Sequence, residues 1–507
     1  MGRCREEPLP SEQQGDGVAP SGAADRGIGS RSGLLHQFVG YGVTRSASEG
    51  LLGLRGIALA SLLGPELFGI WSLFRMALGY LGFVAQGLLR GMEVKVAATS
   101  SRHRRSTTRG QKIWGQVVLG PTLFLYGSLS IAAVVAWFWP TEETAGLVLL
   151  GVALGLLPDR LLKYARTFLR ASGSLRQFAI LELLQTALQL VFTVGFALVW
   201  GLLGAFAGFL AANVTGLCFA AHHAPWRPRC APRRAGHVFR IGYPVSLINI
   251  STTVLQTIDR LLVGAFAGIA ALGIYSFAVT LSGLGVGLAQ VVRNVVLTHV
   301  YGRKSASDAP HSGRMILDRS MTAYTTLLPP LAGLAALILA PIVMIVLPQY
   351  EPAILLAQIF VFIGVLQGIV NVSVLGIVAD GRQGRLPFVC LGTVSLNVVL
   401  SLLALFFGLG LEGVAVGTLL SRAVYAVAAV SLLSAGSPKR ASYRALAKSL
   451  TPSLWCAAAV IAIHLSVPAW NLKTLTIGLI FYSLSLIPLG IFFRSTLAGL
   501  NVMRSEI

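Results

Sequence analysis

Windows of about 20 apolar residues, the length a helix needs to cross the hydrocarbon core of a bilayer, recur along the whole chain. Nothing else in the sequence limits its fold as strongly. They fall at 36–62, 67–89, 114–138, 145–168, 178–200, 203–222, 242–264, 270–292, 321–347, 352–378, 387–408, 412–435, 450–468 and 474–493, separated by Gly, Pro or charge clusters. The pattern predicts an all-α polytopic membrane protein of about fourteen transmembrane helices. Composition agrees, because a chain of 507 residues that is 55% hydrophobic and only 12% charged cannot cover a soluble globule with polar surface.

Connections alternate in length and charge, which tests the count independently. One set is short: 64–66, 140–145, 201–203, 265–269, 348–351, 408–412 and 466–473, with Lys473 its only basic residue. The other set, with both termini and the adjoining helix ends, holds 34 of the 40 Lys and Arg. Both termini are therefore expected to be cytoplasmic. The formal net charge of +21 then reads as a topology signal plus attraction to anionic membrane lipids, and nucleic acid is excluded as a partner. Five basic residues remain inside predicted spans: Arg45, Arg55, Arg75, Arg260 and Arg422.

The chain also repeats. Placing Gly69-Ile70-Trp71-Ser72 over Gly273-Ile274-Tyr275-Ser276, an offset of 204, aligns Gly64 with Gly268, Gly79 with Gly283 and Gln86 with Gln290. Further on, Gly173 matches Gly381 and Gln189 matches Asn397 at offset 208, and Leu202, Gly204, Gly208 and Leu210 match Leu411, Gly413, Gly417 and Leu419 at offset 209. Six crossings return a chain to the side it started from, so two six-helix lobes should be related by an axis along the membrane normal. The expected division is a disordered cytoplasmic tail at 1–33, a first lobe at 34–223, a basic cytoplasmic linker at 224–240, a second lobe at 241–436, and an appendage of the last two helices with a short cytoplasmic tail at 437–507.

An Arg at the centre of a membrane helix costs about 2.5–3.5 kcal/mol on insertion scales, so it is expected to face a bundle interior or a wet cavity. On a helix, positions i, i+4, i+7 and i+11 share a stripe. Asn249, Thr253, Gln256 and Arg260 have that spacing, as do Arg75, Gly79, Gly82, Gln86 and Arg90 with one further turn, while Arg45 pairs with Glu49 at i, i+4 and Arg55 lies deeper. Equivalent stripes in two lobes would line a cationic central cavity. Its candidate binding residues are Arg45, Arg55, Arg75, Gln86, Arg90, Asn249, Gln256, Arg260, Gln290 and Arg422. Among the acids inside spans, Glu49 and Asp259 could neutralise a neighbouring Arg or couple an ion, and Glu182, with no partner on its own helix, is a candidate proton site.

Other signals fail in context. Gly283, Gly285 and Gly287 mimic a phosphate loop inside an apolar span, where small residues serve helix packing. Three glycosylation sequons begin at Asn213, Asn249 and Asn371, all within spans. Lone His464 and the scattered Cys4, Cys218, Cys230, Cys390 and Cys456 show no metal-ligand or disulfide spacing. No catalytic constellation and no cofactor are expected.

The run Ala60-Ser61-Leu62-Leu63-Gly64-Pro65-Glu66-Leu67-Phe68-Gly69-Ile70-Trp71-Ser72 resembles the first extracytoplasmic turn of bacterial polysaccharide (O-antigen type) flippases. So do Asp259-Arg260-Leu261-Leu262-Val263-Gly264 continuing to Ala271-Leu272-Gly273-Ile274-Tyr275-Ser276, Leu347-Pro348-Gln349-Tyr350-Glu351-Pro352-Ala353, and Gly410-Leu411-Glu412-Gly413-Val414-Ala415. The likeness covers roughly 36–435; Ser61 stands where members often carry Arg, which leaves Arg55 as the basic group of that helix. The resemblance implies a multidrug/oligosaccharidyl-lipid/polysaccharide exporter fold in the bacterial inner membrane. It also implies that a polyprenyl-pyrophosphate-linked glycan is moved outward by alternating access, with glycan polymerase and chain-length machinery as partners. Arginine forks suit a pyrophosphate, and Asn249, Gln256, Gln86 and Gln290 suit sugars. A lipid-linked peptidoglycan precursor would use the same cationic handle, a cation-coupled multidrug exporter would favour an acidic cavity, and a membrane polymerase or ligase would need larger outward loops.

Overall fold

The protein is described here by a computed structural model, over residues 31–100, 106–139, 142–283, 310–379, 382–434, 439–466 and 472–490. Its helices are α1 (Arg31–Leu81), α2 (Gln86–Ser100), α3 (Ser106–Trp137), α4 (Glu143–Ala171), α5 (Leu175–Ala221) and α6 (Pro232–Phe266), followed by α7 (Ile269–Gly283). Then come α8 (Pro310–Val346), α9 (Ala353–Ala379), α10 (Leu386–Phe406), α11 (Gly410–Leu433), α12 (Lys439–Ser466) and α13 (Leu472–Ser485). Over their described residues, the fourteen predicted segments lie on these helices, apart from a break at 82–85, a residue or two at some ends, and 486–490 beyond α13. The chain is an all-helical, multi-pass membrane protein.

Two helices contain two segments each. At 1.5 Å per residue the 47 residues of α5 would be about 70 Å long, roughly twice the bilayer core. The helix instead folds back at Trp200–Gly201, where Gly201 takes φ 56°, a conformation that only glycine adopts without strain. Its halves run side by side. A Cβ on Gly204 would strike the Phe196 carbonyl oxygen and one on Gly208 that of Phe192, while Gln185 Nε2 donates to Asn213 Oδ1 at 2.9 Å. α1 bends in the same way at Gly64, with φ 71°.

The sequence repeat reappears in the backbone. Gly268, the partner of Gly64, takes φ 91°, and Gly410, the partner of Gly201 at offset 209, takes φ 64°. Packing divides likewise: α1 lies on α4 and α5, and α3 on α4, whereas α9 and α10 lie on α11, α8 on α9, and α10 on α6. α12 and α13 pack on α8, where the Tyr482 hydroxyl donates to the Pro330 carbonyl at 3.0 Å. The Pro329–Pro330 backbone inside α8 thereby gains a donor from a neighbouring helix.

The two halves touch through a contact that the repeat maps onto itself. A Cβ on Gly69 would fall against the Ile269 carbonyl oxygen, and one on Gly273 against that of Pro65; at offset 204 each pair becomes the other. An isologous contact of this kind marks a pseudo-twofold axis. Tyr350 closes over it, donating to the Ala60 carbonyl at 3.2 Å and packing on Phe68 and Phe277. Burial pushes the Tyr350 hydroxyl above the ordinary tyrosine range, so it remains a donor at neutral pH.

This end, which carries the turns at Gly64, Gly201, Gly268 and Gly408, is ringed by exposed Trp137, Phe138, Trp139, Trp200, Phe266, Phe406 and Phe407. Aromatic residues at one level mark a membrane interface. At the opposite, basic end the halves meet through glycine again: a Cβ on Gly91 would strike the Val238 carbonyl oxygen, and one on Gly242 that of Gly87. α6 starts at Pro232, so the second part of the segment expected as a linker is helical. Of the expected N-terminal tail, 1–30 lie outside the described residues and Arg31 begins α1.

One expectation fails here. The spacing places Arg75, Gly79, Gly82, Gln86 and Arg90 on one stripe, but residues 82–85 form a turn between α1 and α2. Phe83 and Gln86 bond back three residues rather than four. The break is held from outside: Arg160 Nη2 donates to the Leu78 carbonyl at 2.6 Å, and the Tyr126 hydroxyl to the Gly82 carbonyl at 2.9 Å. Gln86 and Arg90 therefore lie on a helix aimed separately from Arg75.

Candidate functional site

In the first half, Trp71, Phe74, Phe206 and Phe209 form an aromatic cluster with ring centroids 4.9–6.1 Å apart. Gly151 and Gly155 of α4 make room for it; a Cβ at either would press on Phe74 and on Phe206 or Phe209. Two cations sit on this cluster. The Arg55 guanidinium lies 5.9 Å from the Trp71 ring centre, and that of Arg75 lies 5.1 Å from the Phe209 ring. Arg55 is buried, and its Nη1 donates to Gln189 Oε1 at 2.6 Å. Its Nε is buried with no partner among the described residues.

Charge around these groups is mostly positive. Asp159 of α4 is an electrostatic neighbour of both Arg55 and Arg75, and Arg160 and Arg166 also act on Arg75. Asp159 itself pairs with Arg160 at 3.1 Å. Among the described residues neither Arg55 nor Arg75 is within ion-pair distance of a carboxylate. Closer to the basic end, Arg166 pairs with Glu182 at 3.0 Å, and Glu93 holds both Arg90 at 2.8 Å and Arg170 at 2.9 Å.

The second half inverts this arrangement. Asp259 stands where the repeat places Arg55, and Tyr275 where it places Trp71. Buried Asp259 accepts from the Tyr275 hydroxyl at 3.0 Å, from Thr418 Oγ1 at 3.3 Å, and from the Arg260 backbone N–H at 2.8 Å. Thr418 takes the place of Phe209 at offset 209. Arg422, buried, donates from Nη1 to Gln367 Oε1 at 2.6 Å and from Nη2 to the Leu255 carbonyl at 2.7 Å. Each half thus holds one buried arginine on a glutamine side-chain oxygen.

Arg260 is half-buried, with Nη2 turned back onto the Gln256 carbonyl at 2.9 Å and a buried Nε without a partner among the described residues. Gln256 is exposed, and Asn249 Nδ2 caps the Val245 carbonyl at 3.0 Å. Tyr80 and Thr257 share a 2.8 Å hydrogen bond that joins the halves beside this stripe. Gln86 is buried and Glu49 half-buried. The Arg45 side chain, Gln290 and Cys4 lie outside the described residues. Cys218, Cys230, Cys390 and Cys456 are free thiols.

The structure gathers residues that sequence reasoning had counted as topology charges. Arg160, assigned to a basic connection, is buried inside α4. The signal was present: Asp159, Lys163, Arg166 and Arg170 have the i, i+4, i+7, i+11 spacing used elsewhere.

A sequence model of polysaccharide biosynthesis proteins matches residues 58–355. The chain belongs to this polysaccharide biosynthesis protein family. The match takes in the aromatic cluster, the α4 stripe, Asp259 and Tyr275. No curated relative matches. Among solved structures, the family member resembles the lipid II flippase MurJ in an inward closed conformation, at 13% identity over 90% of this chain and 99% of that one, with a TM-score of 0.64. It also resembles an outward-facing multidrug resistance MATE family transporter of the MOP superfamily, at 16% identity over 85% and 97%, with a TM-score of 0.56. At such identities the likeness establishes a shared fold.

Proposed function

We propose that this membrane protein is a flippase that carries a polyprenyl-pyrophosphate-linked oligosaccharide from the cytoplasmic to the outer leaflet of a bacterial inner membrane. The observation that carries the reading is the pair Arg55 and Arg75, two interior guanidiniums seated on aromatic faces with no carboxylate among the described residues at ion-pair distance. Permanent cations in a low-dielectric bundle are costly unless an anion visits them, and planar guanidinium forks match phosphate oxygens. Arg260, across the join between the halves, extends the same field, and Gln256 and Asn249 beside it suit sugar hydroxyls. The family's link to polysaccharide biosynthesis agrees with a glycan cargo.

On this reading the turn end faces outward and both termini are cytoplasmic, which follows the placement of basic residues. An inside-negative potential drives negative charge outward with about 2.3 kcal/mol per charge per 100 mV. Glu49, Glu182 and Asp259 are the groups through which an ion could be coupled. Glycan polymerase and chain-length machinery would receive the delivered substrate. The test is surface polysaccharide in cells carrying Arg55→Ala or Arg260→Ala, with membrane insertion verified; normal polysaccharide in both variants would sink the reading. The likeness to a lipid II flippase makes a peptidoglycan precursor the alternative cargo, and rescue of cells depleted of their lipid II flippase would favour it.

A further inference from the structure

We propose that Lys163 of α4 is a further anion-holding residue, and that it holds the diphosphate of the substrate from the first repeat, between α1 and α4. The proposal rests on the flippase reading given above and adds to it the residue and the side of the cavity.

Lys163 occupies the middle of the α4 stripe, and its stripe neighbours show which way it faces. Asp159 acts on Arg75 of α1, Arg166 reaches Glu182 of α5, and Arg170 reaches Glu93 of α2. A side chain between them on the same face points into the space those three helices enclose. Lys163 is also the only member of the stripe without an ion pair among the described residues. Its charged neighbours are Arg160, Asp159, Arg166 and Arg90, three cations to one acid. Such a group lacks an anion, and a diphosphate supplies one.

Depth argues against a purely topological role. Lys163 lies eight residues before Ala171, the end of α4, which is about 12 Å at 1.5 Å per residue and beyond the reach of its own side chain to that end.

The repeat shows that Lys163 has no charged counterpart. At offset 208, Lys163 corresponds to Asn371 and Asp159 to Gln367, while Arg75 corresponds to Val279 at offset 204. In the second half, Gln367 Nε2 donates to Asn371 Oδ1 at 3.1 Å. Lys163, Asp159 and Arg75 are thus replaced by two amides and an apolar residue in the other half, where Gln367 accepts from Arg422 at 2.6 Å. The Lys163 contribution is therefore particular to the first repeat.

The test uses the purified full chain in lipid nanodiscs, with farnesyl diphosphate and farnesyl monophosphate as probes. Wild-type protein is expected to prefer the diphosphate. Lys163→Gln should weaken diphosphate binding about tenfold, the effect of losing one charge-assisted hydrogen bond, and Lys163→Arg should restore it. Lys163→Met serves if the glutamine variant does not reach the membrane. Equal diphosphate affinity in wild type and the uncharged variant would overturn the role of Lys163. A wild type that binds neither probe would overturn the flippase reading itself, which is a different outcome.

Discussion

The Nη1 of Arg55 lies 2.6 Å from Oε1 of Gln189, and this contact joins the two halves of the first repeat's interior. Gln189 comes from the first arm of the α5 hairpin and also leans on Asn213 of the second arm, at 3.4 Å. A single glutamine therefore holds the buried cation and ties it to a hairpin.

Gln189→Leu should remove the acceptor while leaving the guanidinium buried. An orphaned donor costs about 1–3 kcal/mol, more when charged. The variant is expected to show a lower Tm by fluorescence-detected size exclusion. Gln189→Glu should keep the fold but pair the cation, and transport should fall although stability does not. Equal transport in wild type and the Glu variant would show that Arg55 need not be available to an anion.

Tyr126→Phe removes the donor to the Gly82 carbonyl at the break between α1 and α2. A buried carbonyl left without a partner costs about 1–3 kcal/mol, and the expected readout is faster hydrogen exchange confined to residues 80–88. Protection there equal to wild type would mean that the break holds itself.

Gly273→Leu would place a side chain against the Pro65 backbone, which cannot withdraw as a flexible side chain can. The halves should part at the turn end. With the native cysteines replaced by serine, Leu63→Cys, at a buried position, should then react faster with a membrane-impermeant thiol reagent.

Asp259→Asn should be tolerated, since an amide oxygen can still accept from Tyr275 and Thr418. Asp259→Leu should not be, because the Tyr275 hydroxyl would lose its 3.0 Å acceptor and Arg422 its nearby acid. Expression in the membrane fraction separates the two, and equal yields would show that the carboxylate site is not structural.

Much of this architecture was legible before any coordinates. Bilayer thickness fixes segment length, so hydropathy alone locates fourteen helical segments, and the repeat puts Gly64 opposite Gly268, both of which take the left-handed conformation. The broken second span was not legible. Phe83 and Val84 are as apolar as their neighbours and no proline marks the turn; Arg160 and Tyr126 hold it from distant helices. The α4 cations were missed for another reason: a charge near a loop was taken to belong to the loop, and α4 continues to Ala171. Nor could sequence show that Thr418 replaces Phe209, which turns a face that seats a cation into one that serves a carboxylate.

The crossing of Gly69 and Gly273 has a mechanical consequence. Where helices interlock through side chains, sliding one past the other requires knobs to climb out of holes, and motion is stepwise. At this crossing the glycines meet backbone, apart from the Ile269 methyl that rests against Gly69, and have no knob of their own to lift. The contact therefore acts as a bearing with few teeth: it carries load across the turn end, yet resists rotation of one half against the other less than a fully toothed joint would.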